Sequence, residues 1–284
     1  MLVININKLE GADMFKIIRE SFSITNNYII IATPLILFSL ITSLYMIFSG
    51  HGSNLGLIFS VVLFCLMVAA FLSGWFFMIV KAVQEPDGKS SLLSEFPAGV
   101  GEYFVPILGF LFNTFIISSV IIIGAFLFGK KFIGNAGITA NELSAAFASV
   151  EAMKSFASSL SDEQLMKINQ WNLLLFSTMI FNYFILMFYA PTMFFKRKNP
   201  FVALWLSIRD LFSARFFKNV GLFCLIFVTY MILSAFNALF GSNIIVHFIL
   251  TLINFYYVTY VAILIFNYYY ANFAKIGSNV DKVV

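Results

Sequence analysis

One stretch decides the fold: Pro191 to Asn243, PTMFFKRKNPFVALWLSIRDLFSARFFKNVGLFCLIFVTYMILSAFNALFGSN. It begins with a basic cluster, Lys196-Arg197-Lys198, and continues through a short amphipathic segment, a long apolar segment and an uncharged turn. Basic residues beside an apolar segment determine which side of a membrane the flanking loops occupy. The stretch holds no set of groups arranged for a reaction, so it indicates architecture rather than chemistry.

The composition of the whole chain is that of a membrane protein. Of its 284 residues 61% are hydrophobic and 11% charged, and the mean hydropathy is +0.95. A soluble domain is closer to about half apolar and about a quarter charged. This chain cannot cover its apolar surface with polar residues in water, so most of its solvent must be lipid. Its richness in Phe, Ile and Asn favours an AT-rich coding genome and a bacterial source.

Six apolar segments predict six transmembrane helices. The fold class is therefore an all-α polytopic membrane bundle with amphipathic helices at the inner interface, forming one integral membrane domain over residues 1–284. The predicted spans cover residues 27–48, 55–83, 103–128, 171–195, 219–240 and 244–273. No cleavable signal peptide is predicted, because a polar start precedes the first apolar segment, which is long enough to remain as a membrane helix.

The segments between the spans are polar. Residues 84–102 predict a connection with one short helix over 90–96, and residues 129–170 form the one long insertion. Thr139 and Glu142 have capping-box spacing, as do Ser161 and Gln164. We expect two helices in the insertion, the second running into span four.

Two amphipathic helices are predicted on the inner side. Asp13 caps the first, which runs to about Ile24, and Asn199 followed by Pro200 begins the second. We expect the first helix to lie in the membrane interface; the alternative is packing on the bundle. Its apolar face comprises Met14, Ile17, Ile18, Ser21, Phe22 and Ile24. In the second helix Phe201, Leu204, Trp205, Ile208, Leu211 and Phe212 form an apolar stripe, and Ala203, Ser207, Asp210 and Ser213 lie opposite.

The basic residues predict the orientation. Six spans place both termini on one side, and 13 of the 17 basic residues fall in the segments on that side (Lys8, Lys16, Arg19, Lys81, Lys89, Lys196, Arg197, Lys198, Arg209, Arg215, Lys218, Lys275 and Lys282). The positive-inside rule therefore puts both termini in the cytoplasm. Lys130 and Lys131, just outside span three, oppose this assignment, but the bias elsewhere is larger.

A weak internal repeat links the two ends of the chain. Phe15–Ser21 followed by two spans resembles Phe201–Ser207 followed by two spans, and both hairpins turn through Gly-Ser-Asn, at residues 52–54 and 241–243. The copies are offset by four spans, an even number, so they point the same way. This indicates a parallel repeat rather than the inverted repeat of many secondary transporters.

The C-terminal half resembles a broad group of bacterial six-helix membrane proteins of unknown function. The residues that carry the resemblance are Pro191, Asn199-Pro200, Ala203-Leu204, Ser207 and Asn219-Val220-Gly221-Leu222. The group includes the membrane domain fused to some glycerophosphodiester phosphodiesterases. The resemblance covers residues 191–274, with a fainter echo over 14–83. It implies six membrane helices with helices at the inner interface, and it does not imply phosphodiesterase activity, which belongs to a separate soluble domain.

The sequence offers few groups for catalysis. It contains no HExxH, no paired Cys or His at metal spacing, no P-loop and no GxGxxG, so we expect no enzyme activity, no cofactor and no metal. His51 and His247 could meet across the two similar hairpins, but a metal site needs more ligands than two. Cys65 and Cys224 fall within apolar segments, where small packed hydrophobes are expected rather than a disulfide.

Two sets of residues remain as candidate sites. The first is a basic patch facing anionic lipid headgroups or a cytoplasmic partner: Lys196, Arg197, Lys198, Arg209, Arg215 and Lys218. The second is the intramembrane amides, which need protein partners in lipid: Asn113, Asn182, Asn237, Asn254 and Asn267. These amides either tie helices together or line a polar path, and ties are the favoured interpretation.

The sequence leaves two functions open. The first is a non-enzymatic protein of the cell membrane that scaffolds, or partners with, other envelope proteins. The second is a transporter, permease subunit or channel for a neutral or lipidic substrate. A continuous polar cavity lined by Asn113, Asn182 and Asn237 would favour transport, and a dry interior would favour the scaffold. No nucleic-acid partner is expected, because the net charge of +4 is distributed beside apolar segments.

Overall fold

The computed structural model describes residues 13–49, 54–86, 91–135, 137–241 and 243–274, which form helices and turns with no strand among them. Within those ranges the α-helices are α1 (Met14–Asn27), α2 (Ala32–Ser49), α3 (Asn54–Gln84), α4 (Leu92–Phe132), α5 (Ala140–Ala146), α6 (Val150–Ser159), α7 (Asp162–Leu186), α8 (Tyr189–Phe195), α9 (Pro200–Leu211), α10 (Phe216–Phe240) and α11 (Ile244–Tyr269). A 3₁₀ turn, Ile29–Ile31, precedes α2, and a π turn, Tyr270–Ala274, follows α11.

Six helical segments are long and apolar enough to cross a membrane: Ile29–Ile47, Ile58–Gln84, Leu92–Phe132, Asp162–Phe195, Phe216–Phe240 and Ile244–Ala274. The predicted all-α fold class with six spans is therefore confirmed. Lipid accounts for the large number of exposed apolar side chains on these helices, because hydrocarbon solvates them as well as a protein core does.

The chain forms two compact units by packing. The first comprises residues 1–113 and 186–284, and its buried core includes Ile31, Met78, Ile107 and Met193. The second comprises residues 114–185, that is, the second half of α4 together with α5, α6 and nearly all of α7. The prediction of one membrane domain stays a prediction.

The second unit is held together by close packing between α4 and α7. An ideal Cβ built on Gly129 would lie 2.4 Å from the indole ring of Trp171. The indole N–H of Trp171 donates to the carbonyl of Gly134 at 3.0 Å. The two predicted capping boxes both form: Glu142 accepts from the N–H of Thr139 at 2.8 Å, and Gln164 accepts from the N–H of Ser161 at 3.0 Å.

The structure corrects three predicted boundaries. The predicted short helix over 90–96 and span three are one helix, α4, which continues through Pro97 and Pro106. Two short helices, α5 and α6, stand where the first helix of the insertion was predicted, because Ser149 accepts from the N–H of Ala152 and begins a new helix. Span four breaks between α7 and α8, four residues before Pro191, where a proline ring clashes with the preceding carbonyl.

The two amphipathic helices begin where predicted. Asp13 accepts from the N–H of Phe15 at 3.2 Å, and Asn199 accepts from Phe201 and Val202 at 3.0 and 3.3 Å. Helix α1 packs on α11, and α9 packs on α8. Helix α1 also keeps Phe15 and Phe22 exposed, so its place in the membrane interface stays a prediction.

The apolar stripe of α9 divides: its aromatic side chains face away from the protein, whereas Leu204 packs against the core and Leu211 is buried. Phe201, Trp205 and Phe212 are exposed. The buried face consists of the side predicted to lie opposite, Ala203, Ser207 and Asp210, together with Leu211. Small side chains allow close approach to α8, and lipid solvates the large ones.

The structure extends the internal repeat at these helices. Each residue of α1 precedes its counterpart in α9 by 186 positions, as Phe15 precedes Phe201. The buried positions of α1 are Ile17, Ser21, Ile24 and Thr25, and those of α9 are Ala203, Ser207, Asp210 and Leu211, which are the same four positions. Gly52, Ser53 and Ser242 of the two Gly-Ser-Asn turns lie outside the described residues.

A third segment packs in the same manner. The first turns of α4 lie against the end of α3, where an ideal Cβ on Gly74 would be 2.7 Å from the ring of Phe96. The small residues Ala69, Ser73 and Gly74 of α3 are buried and form an internal packing face. The segment before each membrane hairpin therefore packs on the end of another span: α1 on α11, the start of α4 on α3, and α9 on α8.

Gly99 is the closest approach in the α3–α4 packing. An ideal Cβ at this position would be 2.5 Å from Cβ of Phe77 and 2.8 Å from the carbonyl oxygen of Ser73. We expect Gly99→Ala to destabilise the protein by about 1–3 kcal/mol through overpacking, measured as a lower thermal unfolding midpoint in detergent.

Gly101 supplies the matched control for this prediction. It lies in the same helix, and nothing lies within 4 Å of an ideal Cβ there. Gly101→Ala should be neutral or stabilising by up to about 1 kcal/mol, because alanine is the better helix former. Equal midpoints for the two variants would show that the close approach does not matter.

Candidate functional site

One cluster of polar contacts in the first unit is centred on the buried carboxylate of Asp210. Its side chain is 9% exposed. One oxygen, Oδ2, accepts from Nζ of Lys196 at 2.7 Å and from the hydroxyl of Tyr269 at 2.6 Å. Nζ of Lys196 also lies 5.2 Å from the centre of the Tyr269 ring. The cluster joins the end of α8, the last turn of α9 and the end of α11.

A second cluster lies next to the first and satisfies the end of α9. The amide of Asn219 donates to the carbonyls of Asp210 and Leu211 at 3.2 and 2.8 Å, and accepts from the hydroxyl of Tyr268 at 2.8 Å. The last carbonyls of a helix have no partner within the helix. Asn219, at the start of α10, therefore fixes the angle at which the chain enters span five.

Arg215 extends these contacts to the C-terminal π turn. Its guanidinium donates to the carbonyl of Asn272 and, at 3.1 Å, to Oδ1 of the same residue. It also lies 5.7 Å from the ring centre of Phe273. This contact, with those of Tyr268 and Tyr269, ties the end of α11 to α9 and α10.

The structure divides the predicted basic patch into internal and surface residues. Lys196 and Arg215 are engaged in the contacts above. Lys198 pairs with Glu102, and this hydrogen bond raises the pKa of its ammonium group. The stabilisation from that pairing is present below the ordinary pKa of lysine and is lost as the pH rises through the raised value.

The remaining members of the patch are exposed. Arg209 lies 3.9 Å from Oδ1 of Asp210 with its side chain 65% exposed, so this ion pair contributes little. Arg197 and Lys218 are exposed at the surface of the first unit. The surface that can meet headgroups is therefore smaller than the sequence indicated.

Each intramembrane asparagine is hydrogen-bonded within its own unit. Asn113 donates to the hydroxyl of Tyr189 at 2.9 Å, which in turn donates to the carbonyl of Pro200 at 3.0 Å. In the second unit Asn182 and Ser118 exchange hydrogen bonds at 3.0 and 3.2 Å. These contacts tie α4 to α8 and α9, and α4 to α7.

The other three asparagines form hydrogen bonds that hold helix α11 to α10 and α1. Asn237 and Asn254 join α10 to α11 through hydrogen bonds of 3.2 and 3.5 Å. Asn267 donates to Oγ of Ser21 at 3.1 Å and so ties α11 to α1. The favoured interpretation of these amides as ties agrees with all of these contacts.

Two cavities in the described part of the first unit bear on its candidate sites. One, of about 500 Å³, is bordered by polar groups from α1, α3 and α11, including Glu20, Gln84 and Asn267. The other, of about 820 Å³, is an apolar groove between α1, α10 and α11. Neither of these two cavities is lined by Asn113, Asn182 or Asn237, whereas Asn267, another of the candidate amides, borders the polar one.

The described residues contain no group of three or more His, Cys, Asp and Glu side chains that could hold a metal ion. His247 is exposed in the first turn of α11, and His51 lies outside the described residues, so their meeting stays a prediction. Cys65 and Cys224 are free and exposed. The expectation that both are packed small hydrophobes is therefore wrong, because lipid can solvate them on the outer faces of α3 and α10.

Sequence reasoning missed the partners of Asp210. Tyr268 and Tyr269 are both buried, and their hydroxyls donate to Asn219 and Asp210. A signal was present: Asp210 follows Ala203 and Ser207 at helical spacing, and a face of small residues is a packing face in lipid.

Comparison with known proteins found no matching family model, no matching curated protein and no matching solved structure. The resemblance to the membrane domain fused to some glycerophosphodiester phosphodiesterases therefore stays a prediction.

Asp210→Asn should destabilise the protein by about 3–5 kcal/mol, because it leaves the ammonium group of Lys196 half-buried without its counter-ion. Thermal unfolding in detergent measures the change. The double variant Asp210→Asn, Lys196→Met should recover part of the loss, since it removes the unpaired charge as well.

Arg209→Gln is the matched control, because it removes a neighbouring exposed charge and should change stability by less than about 0.5 kcal/mol. If Asp210→Asn behaves like Arg209→Gln, the ion pair does not hold the three helices together.

Proposed function

We propose that this chain is a non-enzymatic multi-pass membrane protein that acts as a scaffold for, or partner of, other envelope proteins. The observation that supports this most is the use of the intramembrane asparagines. Asn113, Asn182, Asn237, Asn254 and Asn267 all donate to other helices of the same chain. A polar transport path needs such groups to face a shared cavity, whereas a fixed scaffold uses them as ties.

The lateral surface offers area for a partner. In the most apolar windows of Leu92–Phe132 and Phe216–Phe240, 6% of the residues are buried. Large side chains such as Val105, Phe115 and Val228 are exposed there. Two spans with so little internal packing leave broad faces for lipid or for helices of other membrane proteins.

The proposed location is the cell membrane, with both termini in the cytoplasm. The positive-inside bias of 13 among 17 basic residues supports this orientation. The exposed Arg197 and Lys218 would then face anionic headgroups of the cytoplasmic leaflet, and each is worth about 1 kcal/mol near such a surface.

A second candidate is a transporter, permease subunit or channel for a neutral or lipidic substrate. The apolar groove between α1, α10 and α11 favours the lipidic form of this candidate, since its lining suits an acyl chain. The two functions differ in whether the protein moves a lipid from one leaflet to the other.

The orientation can be tested with single cysteines in a variant lacking Cys65 and Cys224. Ser155→Cys, on the exposed surface of α6, should react with a membrane-impermeant maleimide in intact cells. Ala214→Cys, in the exposed connection between α9 and α10, should react only after permeabilisation. The reverse pattern would place the termini outside and overturn the proposed orientation.

The scaffold role predicts that a specific protein lies next to this chain in the membrane of the native cell. A photo-crosslinking phenylalanine derivative replacing the exposed Phe115 should give one or a few protein adducts of defined mass. The same derivative replacing the buried Tyr103 of the same helix is the control and should give none. Adducts with lipid alone at Phe115 would count against a lateral partner there.

Transport can be tested separately in liposomes. With a fluorescent phospholipid in both leaflets and an external quencher, the scaffold role predicts about half of the fluorescence to be lost with or without the protein. Protein-dependent loss beyond half would mean movement of lipid between leaflets, and the second candidate would replace the first.

A further inference from the structure

Three helices, α1, α10 and α11, form the apolar groove of the first unit. Helix α1 contributes Phe15, Ile18 and Phe22, and the facing sides of α10 and α11 contribute the walls. Two of the three tyrosine hydroxyls in the lining are hydrogen-bonded to other groups of the protein. Tyr257 donates to the carbonyl of Ile226 at 2.7 Å, and Tyr256 donates to Oδ1 of Asn26 at 2.7 Å. The groove therefore presents hydrocarbon and aromatic surface.

The length of the groove matches one leaflet. Its lining runs from Leu225 to Phe236 on α10, about 17 Å, and from Leu250 to Leu264 on α11, about 21 Å, at about 1.5 Å per residue. One leaflet is about 15 Å deep, half of the hydrocarbon core. An acyl chain lying along the groove would therefore be covered over its whole length.

The groove has a volume of about 820 Å³ and an almost wholly apolar lining, which suits an acyl chain.

Basic residues stand at the α1 end of the groove. Arg19 follows Ile18 on α1, lies three residues before Phe22, and is exposed. Lys218 lies two helical turns before Leu225 on the same face of α10, and is exposed. The starts of α1 and α10 lie next to each other, because an ideal Cβ on Gly221 of α10 would be 3.8 Å from Cε of Met14 of α1.

We propose that this groove binds one phospholipid with an anionic headgroup, its acyl chain lying between α10 and α11 and its phosphate meeting Arg19 and Lys218. The chemistry follows from a leaflet-deep apolar groove with two cationic side chains at one end. The site goes beyond the proposed scaffold role and does not rest on it. Failure of partner crosslinking would leave lipid binding intact, and loss of lipid binding would leave crosslinking intact.

Native mass spectrometry of the full chain, released from detergent in the presence of phosphatidylglycerol or phosphatidylcholine, tests the headgroup. The wild type should retain one phosphatidylglycerol in preference to phosphatidylcholine. Arg19→Gln with Lys218→Gln should weaken that retention by about fivefold for each charge removed. Lys130→Gln with Lys131→Gln, which removes two exposed charges of the second unit, should leave it unchanged. Equal losses in both pairs, or no headgroup preference in the wild type, would overturn the proposal.

A phosphatidylglycerol with a diazirine in its acyl chain tests the groove itself. Adducts should be enriched in peptides covering 225–236 and 250–264 over those covering the exposed face of α4. Thr229→Trp fills the groove and should abolish the enrichment, whereas Ser234→Trp, on the opposite side of α10, should preserve it. Even labelling of all exposed spans would mean bulk lipid only. A stable dimer without groove adducts would mean that a second copy occupies the site. Either result overturns the proposal.

Discussion

Polar side chains inside a lipid-solvated protein must find their partners within the chain, and the first unit depends on this constraint around Asp210, where α8, α9 and α11 end. Lipid offers no hydrogen bonds, so an unpaired carboxylate or amide there costs several kcal/mol. Asp210 meets the constraint through Lys196 and Tyr269. Because these partners come from three separate helices, satisfying one carboxylate fixes the relative positions of α8, α9 and α11.

The same constraint explains the packing of the three segments that precede the membrane hairpins. A segment lying between lipid and the bundle can leave its large apolar side chains outside, but not its polar ones. Ser21 and Ser207, at equivalent positions of α1 and α9, are both fully buried, while Phe15 and Phe201 are exposed. The first turns of α4 use glycine in place of a polar contact, since Gly99 lies directly against α3. All three segments therefore pack on the end of a span, while the matching buried positions link α1 and α9.

The parts of the fold that could be predicted from the sequence are those determined by local chemistry. Apolar length gave the six spans, and side-chain oxygens before Phe15 and Phe201 gave the two helix starts. The continuity of α4 through Pro97 could not be predicted, because packing of Gly99 on α3 overrides the local preference against proline.

The partners of Asp210 could not be predicted either, since they lie 14 and 59 residues away along the chain. Hydropathy alone also does not show which face of a helix packs against the protein. It separates apolar from polar positions, but in lipid the aromatic side chains of a helix such as α9 lie on the side facing away from the protein. The identity of the buried face follows from side-chain size, and Ala203 with Ser207 carried that information.

The ties between α10 and α11 bear on whether the groove exists before a lipid enters it. Asn237 and Asn254 join the two helices near one end, and Tyr257 bonds to the backbone of α10 at Ile226 in the middle. Hydrogen bonds at two positions along α10, Asn237 and Ile226, hold α10 and α11 at a fixed separation. The two helices therefore cannot close together to bury the apolar surface of the groove. A preformed groove spares the ligand the cost of opening one. The asparagines that argue against a polar transport path thus act, through the separation they impose, as positioning residues for an apolar site.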